Sequence, residues 1–266
     1  MSQLNIGFIQ QDLKWEDKSY NLSLFEKRIS DMKGVELIVL PEMFSTGFSM
    51  RPEVLAEKMS GPTIQWMKRV AGENKVILTG SIIIEEDGLF FNRLIWMLPN
   101  HQFGFYDKRH LFGFAGEHEH YSSGTKRLIA SVNGWKINLQ VCYDLRFPVW
   151  TRQQLQFTDN GDMVPEYDLL IYVANWPERR NHAWKTLLQA RVIENQCYVL
   201  GVNRVGYDGN EIYHSGDSMI IDPMGTPLVH IEKIEATEIL TLDKNTLDEL
   251  RENLPFLKDA DMFRML

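Results

Sequence analysis

The run Trp135-Lys136-Ile137-Asn138-Leu139-Gln140-Val141-Cys142-Tyr143-Asp144 reads as a strand that ends on a thiol, followed at once by a polar turn and, from Pro148, by a helix-like stretch. A side chain at such a junction projects beyond the sheet edge, where ligands of α/β sheets bind. Two charged residues occupy comparable places. Glu42 ends the apolar run Leu37-Ile38-Val39-Leu40-Pro41-Glu42, and Lys108 follows Phe105-Tyr106-Asp107. A thiol, a carboxylate and an ammonium group at the ends of separate strands are the minimum equipment for opening an amide through a thioester.

Outward from that run, the chain repeats an order of elements. The first half gives a strand at Asn5–Gln10, then a helix in which Leu22, Phe25, Ile29 and Met32 recur at three- and four-residue spacing before Gly34. The Glu42 strand follows, then a helix opened by Pro62 with Ile64, Met67 and Val70, and strands at Val76–Ile84 and Asn92–Leu98. The second half gives the Cys142 strand, a helix from Pro148, a strand at Leu169–Ala174, and a long helix around Trp184, Leu187, Leu188 and Arg191. Strands at Tyr198–Val202 and Ser218–Asp222 complete it. A β-α-β-α-β-β unit written twice predicts two mixed sheets packed face to face with helices outside, an α/β four-layer α-β-β-α sandwich. The reading is one domain over 1–266. The tail from about 245, including Leu254-Pro255-Phe256-Leu257 and Met262-Phe263, is apolar enough to cover a partner subunit or to pack on its own chain.

Composition narrows the function. The 266 residues carry a net charge of -8 with no block of basic residues, which argues against nucleic-acid and anionic-membrane partners. No run approaches the ~20 apolar residues of a membrane span. The first residues have no basic flank and enter a strand directly, unlike a signal peptide, and Cys142 and Cys197 alone make no disulfide framework. A cytoplasmic enzyme acting on a small molecule is the expectation.

Each candidate has a plainer reading beside the chemical one. Free cysteines are among the most buried residues, and Cys197, inside Cys197-Tyr198-Val199-Leu200, reads as core. Cys142 differs in the turn that follows it, which exposes its sulfur and aims the Tyr143 N–H into the same space. Glu42 reads either as a solvated strand end or, among Pro41, Met43, Phe44 and Phe48, as a desolvated general base. Lys108 reads either as a surface charge or as part of the site. His110, His118, His120, His182 and His214 offer a conventional base, none of them singled out by its setting. Glu117-His118-Glu119-His120 invites a metal but lacks the His-Glu-x-x-His spacing, so no metal and no cofactor are expected.

Taken together, Leu40-Pro41-Glu42-Met43-Phe44, Tyr106-Asp107-Lys108-Arg109-His110-Leu111-Phe112 and Val141-Cys142-Tyr143-Asp144-Leu145-Arg146-Phe147-Pro148 resemble the signature blocks of the nitrilase superfamily of carbon–nitrogen hydrolases. Ala174-Asn175-Trp176-Pro177 and Ala190-Arg191-Val192-Ile193-Glu194-Asn195 add to the likeness. The resemblance implies the same four-layer sandwich, a homodimer or larger homo-oligomer, Cys142 as nucleophile, Glu42 as general base and Lys108 as stabiliser of the tetrahedral intermediate. It also implies a second glutamate, aligned with Glu117 and with Glu119 as the alternative. Tyr-Asp-Leu-Arg-Phe-Pro after the cysteine resembles the amidase branches, where nitrilases carry Trp-Glu. Glu42-Met43-Phe44-Ser45-Thr46-Gly47-Phe48 is most similar to bacterial omega-amidases, which hydrolyse the terminal amide of 2-oxoglutaramate or 2-oxosuccinamate.

On this reading Lys108 lowers the thiol pKa, and the Tyr143 N–H joins it at the oxyanion. Trp176, Phe44, Phe114 and Phe147 are expected at the pocket wall. Arg146 and Arg109 are candidates for the far end of an oxo-acid, with Arg146 expected instead to pair with Asp144. Rival readings are hydrolysis of an N-carbamoyl compound or another small amide, and a non-catalytic binding protein on the same fold.

Overall fold

Strand alternation sorts the side chains into layers. In the computed structural model, which describes residues 2–161, 163–261 and 263, Leu37 and Val39 join one apolar cluster while Ile38 and Leu40 join another. This is the two-residue period of a strand with both faces covered. Ile38 and Leu40 meet Phe25 and Ile29 of the helix Lys18–Asp31 and Ile64 and Met67 of the helix Pro62–Asn74. Leu37 and Val39 face Ile137, Leu139 and Val141 of the Cys142 strand across the middle of the molecule.

The first sheet runs Ala236–Asp243, Gln3–Gln10, Leu37–Val39, Ile77–Glu86, Leu89–Met97 and Phe103–Asp107 in spatial order. Gln3–Gln10, Leu37–Val39 and Ile77–Glu86 are mutually parallel, and the remaining pairs are antiparallel. The second sheet repeats the plan. Trp135–Val141, Leu169–Ala174 and Tyr198–Asn203 are parallel, and Tyr213–Ile221 pairs antiparallel with the last of them. Pro227–Glu232, Val205–Tyr207 and Ile129–Val132 complete it. All of Leu169–Ala174 is buried, as a central strand between two layers must be. The helix Asn181–Asn195 covers the outer face, and its approach depends on a missing side chain. A Cβ on Gly201 would stand 2.6 Å from Leu188 and 2.7 Å from Trp184. The architecture is the four-layer sandwich read from the sequence.

Several boundaries and elements differ. The strand before Glu42 stops at Val39, because the chain turns at Met43 (φ 44°). The Cys142 strand stops at Val141, and the helix from Pro148 is the four-residue Pro148–Thr151. Ala236–Asp243, unmarked in the sequence reading, lies antiparallel to Gln3–Gln10 along eight residue pairs. Its half-exposed Thr and Glu residues blur the apolar signal. Beyond it the helix Lys244–Asn253 buries Leu247 against the central cluster. Arg251 there donates to the Tyr167 and Gln196 carbonyls and pairs with Asp168. Within the stretch from about 245, Leu247 and Leu257 are thus buried on this chain, and Phe256 is exposed. Met262 of the predicted tail, and Met1 and Leu266 at the ends of the predicted domain, lie outside the described residues.

Candidate active site

The equivalent strand ends of the two half-repeats hold each other. Asn175, just past Leu169–Ala174, donates its backbone N–H to Glu42 Oε2 at 2.8 Å and its Nδ2 to the Glu42 carbonyl at 2.5 Å. The turn that presents Glu42 is held by Ser81, whose Oγ accepts the Met43 N–H at 2.8 Å. Glu42 Oε1 accepts from Asn92 Nδ2 at 2.8 Å and from Lys108 Nζ at 2.9 Å.

Lys108 reaches this point because its strand lies beside Leu89–Met97, with the Lys108 N–H donating to the Asn92 carbonyl at 3.0 Å. Its ammonium also meets both Glu117 oxygens, at 3.0 and 2.9 Å. Glu117 opens the short helix Glu117–His120, and its Oε2 accepts the Phe112 N–H at 2.5 Å. Glu117 therefore meets the ammonium, whereas Glu119 is 69% exposed. Glu42, Lys108 and Glu117 are each 0% exposed.

Two carboxylates on one buried ammonium fix the charges. Burial by itself would draw Lys108 down, but Glu117 and Glu42 outweigh it and hold the ammonium well above its usual range. Burial pushes the Glu117 carboxyl up, with Lys108 opposing and Glu42 adding.

Cys142 begins the 3₁₀ turn Cys142–Arg146 at φ 44°, a left-handed conformation that a residue with a side chain adopts at an energetic cost. The turn is pinned from behind. Asp144 accepts the Val141 N–H at 3.1 Å, the Tyr106 hydroxyl at 2.8 Å and the His110 N–H at 2.9 Å, and lies 2.8 Å from His110 Nδ1. Tyr143 sits in the first turn, where N–H groups find no carbonyl within the helix. Burial, and after it Glu42, push the Cys142 thiol well above its ordinary range; Lys108 pulls the other way and loses. The expected lowering of the thiol by Lys108 is thus present as a force but not as the outcome. A thiol so held is protonated at rest.

Cys142 keeps 9% of its surface, at the wall of a cavity of about 350 Å³. Tyr143, Trp176, Phe48, Phe112 and Phe114 line the same cavity, with Phe114 80% exposed beside it. Phe44 is elsewhere. The reversal at Met43 turns it into the helix-side core, against Phe25 and Trp66. Phe147 stacks on His110, ring centroids 3.9 Å apart. The expected Asp144–Arg146 pair does not form, since Asp144 is taken by Tyr106, His110 and Val141. Arg146 instead stands 4.9 Å from the Trp176 ring and lines the cavity, while Arg109 lines a separate depression with Trp150.

Asn92, Arg179 and Arg180 lie at the candidate site without having been singled out in the sequence, and Asn175 entered there only within the Ala174-Asn175-Trp176-Pro177 block. Asn92 lies inside a strand, and the two arginines follow Trp176-Pro177-Glu178 in a 3₁₀ turn, without a signal of their own. Of the histidines, His214 lines the cavity but is drawn down to about 4, by burial first and Arg204 second, which leaves it uncharged. Among the described residues Glu117-His118-Glu119-His120 gathers no set of metal-ligand atoms. Asp217, His230 and Glu232 do approach one another, and Asp217 there is engaged by Lys185 and Ser215.

The chain matches the sequence model of the Carbon-nitrogen hydrolase family over residues 2–252. It is 42% identical to the Omega-amidase YafV of Escherichia coli (strain K12) over 267 residues, 100% of both chains. It is 31% identical to the 2-oxoglutaramate amidase of Bacillus subtilis (strain 168) over 258 residues, 96% of each. A crystal structure from Xanthomonas campestris, of a CN-hydrolase superfamily protein with an arsenic adduct in the active site, superposes with a TM-score of 0.95. It is 41% identical, over 100% of both chains. A nitrilase-superfamily member from Saccharomyces cerevisiae shares the fold, with a TM-score of 0.82 at 22% identity over 96% of this chain and 95% of that one.

Proposed function

This chain belongs to the carbon–nitrogen hydrolase family, an amidase acting on bonds other than peptide bonds, and we propose that it cleaves the terminal amide of a short omega-amido 2-oxo acid. 2-Oxoglutaramate and 2-oxosuccinamate are the proposed substrates, each hydrolysed to the 2-oxo dicarboxylate and ammonia. One observation carries the reading: Cys142 lines a cavity of about 350 Å³, large enough for a five-carbon acid, and the buried Glu42–Lys108 ion pair acts electrostatically on its thiol. The two relatives named for an omega-amidase and a 2-oxoglutaramate amidase support it.

The chemistry follows from the protonated thiol. As Cys142 Sγ bonds to the amide carbon, its proton passes to Glu42, and the carbonyl π electrons move onto oxygen. Lys108 and the Tyr143 N–H hold that oxyanion; a preorganised donor of this kind is worth about 3–4 kcal/mol. The C–N bond then breaks, Glu42 returns its proton to nitrogen, ammonia leaves, and a thioester remains on Cys142. Water attacks the thioester as Glu42 takes one of its protons, and collapse expels the sulfur, which Glu42 reprotonates. Asn92 and Asn175 keep Glu42 aimed during both half-reactions. Glu117 keeps the Lys108 charge in place.

No helix among the described residues is long and apolar enough to cross a membrane. The proposal extends to a cytoplasmic homodimer or larger homo-oligomer, which light scattering on the purified chain checks. Ammonia release measured with 2-oxoglutaramate, glutamine, asparagine and an N-carbamoyl amine tests the substrate. The 2-oxo acid is expected to be turned over with the highest kcat/KM. Release of carbon dioxide with ammonia from the carbamoyl compound, and little from the oxo-acid, would reverse the assignment.

A further inference from the structure

Among the described residues, the most deeply buried guanidinium groups have a carboxylate beside them. Arg93 pairs with Asp107 and Glu86, Arg191 with Glu194, and Arg204 with Asp12. The cavity beside Cys142 breaks the pattern. Arg146, Arg179 and Arg180 all line it, and among the described residues none of the three has a carboxylate within ion-pair distance. The carboxylate that shares the cavity, Asp208, accepts the Asn210 and Ile212 N–H groups of its own turn. A chain of net charge -8 therefore leaves three guanidinium groups unmatched in one wall.

Two of them are held in place. Arg146 lies over the Trp176 ring at 4.9 Å and Arg180 over the Phe112 ring at 5.1 Å, both half-buried, while Arg179 is exposed at the rim. A guanidinium set on an aromatic face is oriented without losing its donors, and its planar fork matches a carboxylate. The Trp176 Nε1–H donates to the Arg180 carbonyl at 2.9 Å, tying the two turns together. The pair also stands near the nucleophile. Arg146 is four residues on from Cys142 in the same turn, and burial, with the positive charges of Arg179 and Arg146, weighs on the Arg180 guanidinium while a negative Cys142 would relieve it.

We propose that Arg180 and Arg146 form the seat for the carboxylate at the far end of the substrate, and that they make the site selective for omega-monoamides of short dicarboxylic acids over neutral amides. This rests on the amidase reading of the same cavity. It assigns the anion to residues that the triad does not need.

The test compares glutaramate with pentanamide, which has the same chain length and a methyl group in place of the carboxylate. In the unmodified protein kcat/KM is expected to favour glutaramate strongly. Arg180→Gln is expected to lower the glutaramate-to-pentanamide ratio about a hundredfold, mostly through KM, as loss of a charge-assisted contact does. Arg180→Lys restores part of it, and Arg146→Gln acts in the same direction. A ratio unmoved by both glutamine variants overturns the proposal, as does an unmodified protein that takes pentanamide as readily as glutaramate while still releasing ammonia. If neither amide nor 2-oxoglutaramate is hydrolysed, the amidase reading fails by itself, and a second measurement still decides the anion seat. Glutarate is expected to slow alkylation of Cys142 by iodoacetamide in the unmodified protein and not in Arg180→Gln; equal protection in both refutes the seat.

Discussion

Replacing Lys108 by Met removes the only positive charge in direct contact with Glu42 and Glu117 among the described residues, at 2.9 Å from each. Three effects follow. Loss of an oxyanion donor costs about 10²–10³ in kcat. Glu42 and Glu117, both buried, lose the counter-charge they share, and the loss of kcat at neutral pH reaches at least about a thousandfold. The thiol, which Lys108 pulls down against burial and Glu42, moves further up, and iodoacetamide alkylation at a given pH slows.

Stability changes in a pH-dependent way. The folded Lys108 titrates above its ordinary 10.5, so its contribution is fully present below that value and lost as pH rises through the folded one; the variant lacks this alkaline loss. The raised Glu117 acts with the same sign in a lower pH window. The folded state holds the proton longer, so stability falls as pH climbs from the ordinary 4.5 through the raised value, over a wider range without Lys108. Breaking a buried pair costs about 3–5 kcal/mol when the stranded charge stays ionised, and less here because a carboxyl can take up a proton. Initial-rate kinetics, alkylation followed by mass spectrometry, and thermal melts from pH 4 upward measure all three. A Lys108→Met protein with kcat within tenfold of the original would refute the role of the ammonium, whatever its melting temperature.

Glu42→Gln is expected to abolish ammonia release. It also sets an amide NH₂ against the donors of Lys108, Asn92 or Asn175, costing about 1–3 kcal/mol in a denaturant titration. Asp144→Ala strands the Val141 N–H and the Tyr106 hydroxyl behind the nucleophile; at least about 2 kcal/mol of stability and most of kcat should go, with the Cys142 alkylation rate altered. Gly201→Ala forces a methyl group to 2.6 Å from Leu188 and is expected to destabilise by about 1–3 kcal/mol, read as a lower Tm, while specific activity of the folded enzyme persists.

What the sequence made legible was whatever local chemistry marks. Apolar runs that end on Cys142 and Glu42 and a helix opened by Pro62 leave signals within a few residues, and the doubled element order carries those signals to a two-sheet sandwich. Contacts between distant segments leave no such trace. Asn92 looks like an interruption in a strand until Glu42, fifty residues away, is seen to accept from it. Asp144 and Arg146 lie two apart in one turn and suggest a pair, yet Asp144 is claimed by Tyr106 and His110, and Arg146 is left to the cavity. Phe44 misled for a related reason. It is two residues from Glu42, but with the left-handed Met43 between them Phe44 enters the helix-side core while Glu42 meets Lys108 and Asn92.

The most direct measurement is an acid quench during turnover of 2-oxoglutaramate, followed by peptide mapping. The expected result is an acyl group, the mass of the substrate less ammonia, on the peptide that contains Cys142, and neither adduct nor ammonia from a folded Cys142→Ala protein. Ammonia release that survives in Cys142→Ala, or an acyl group found on another residue, would contradict covalent catalysis by this thiol.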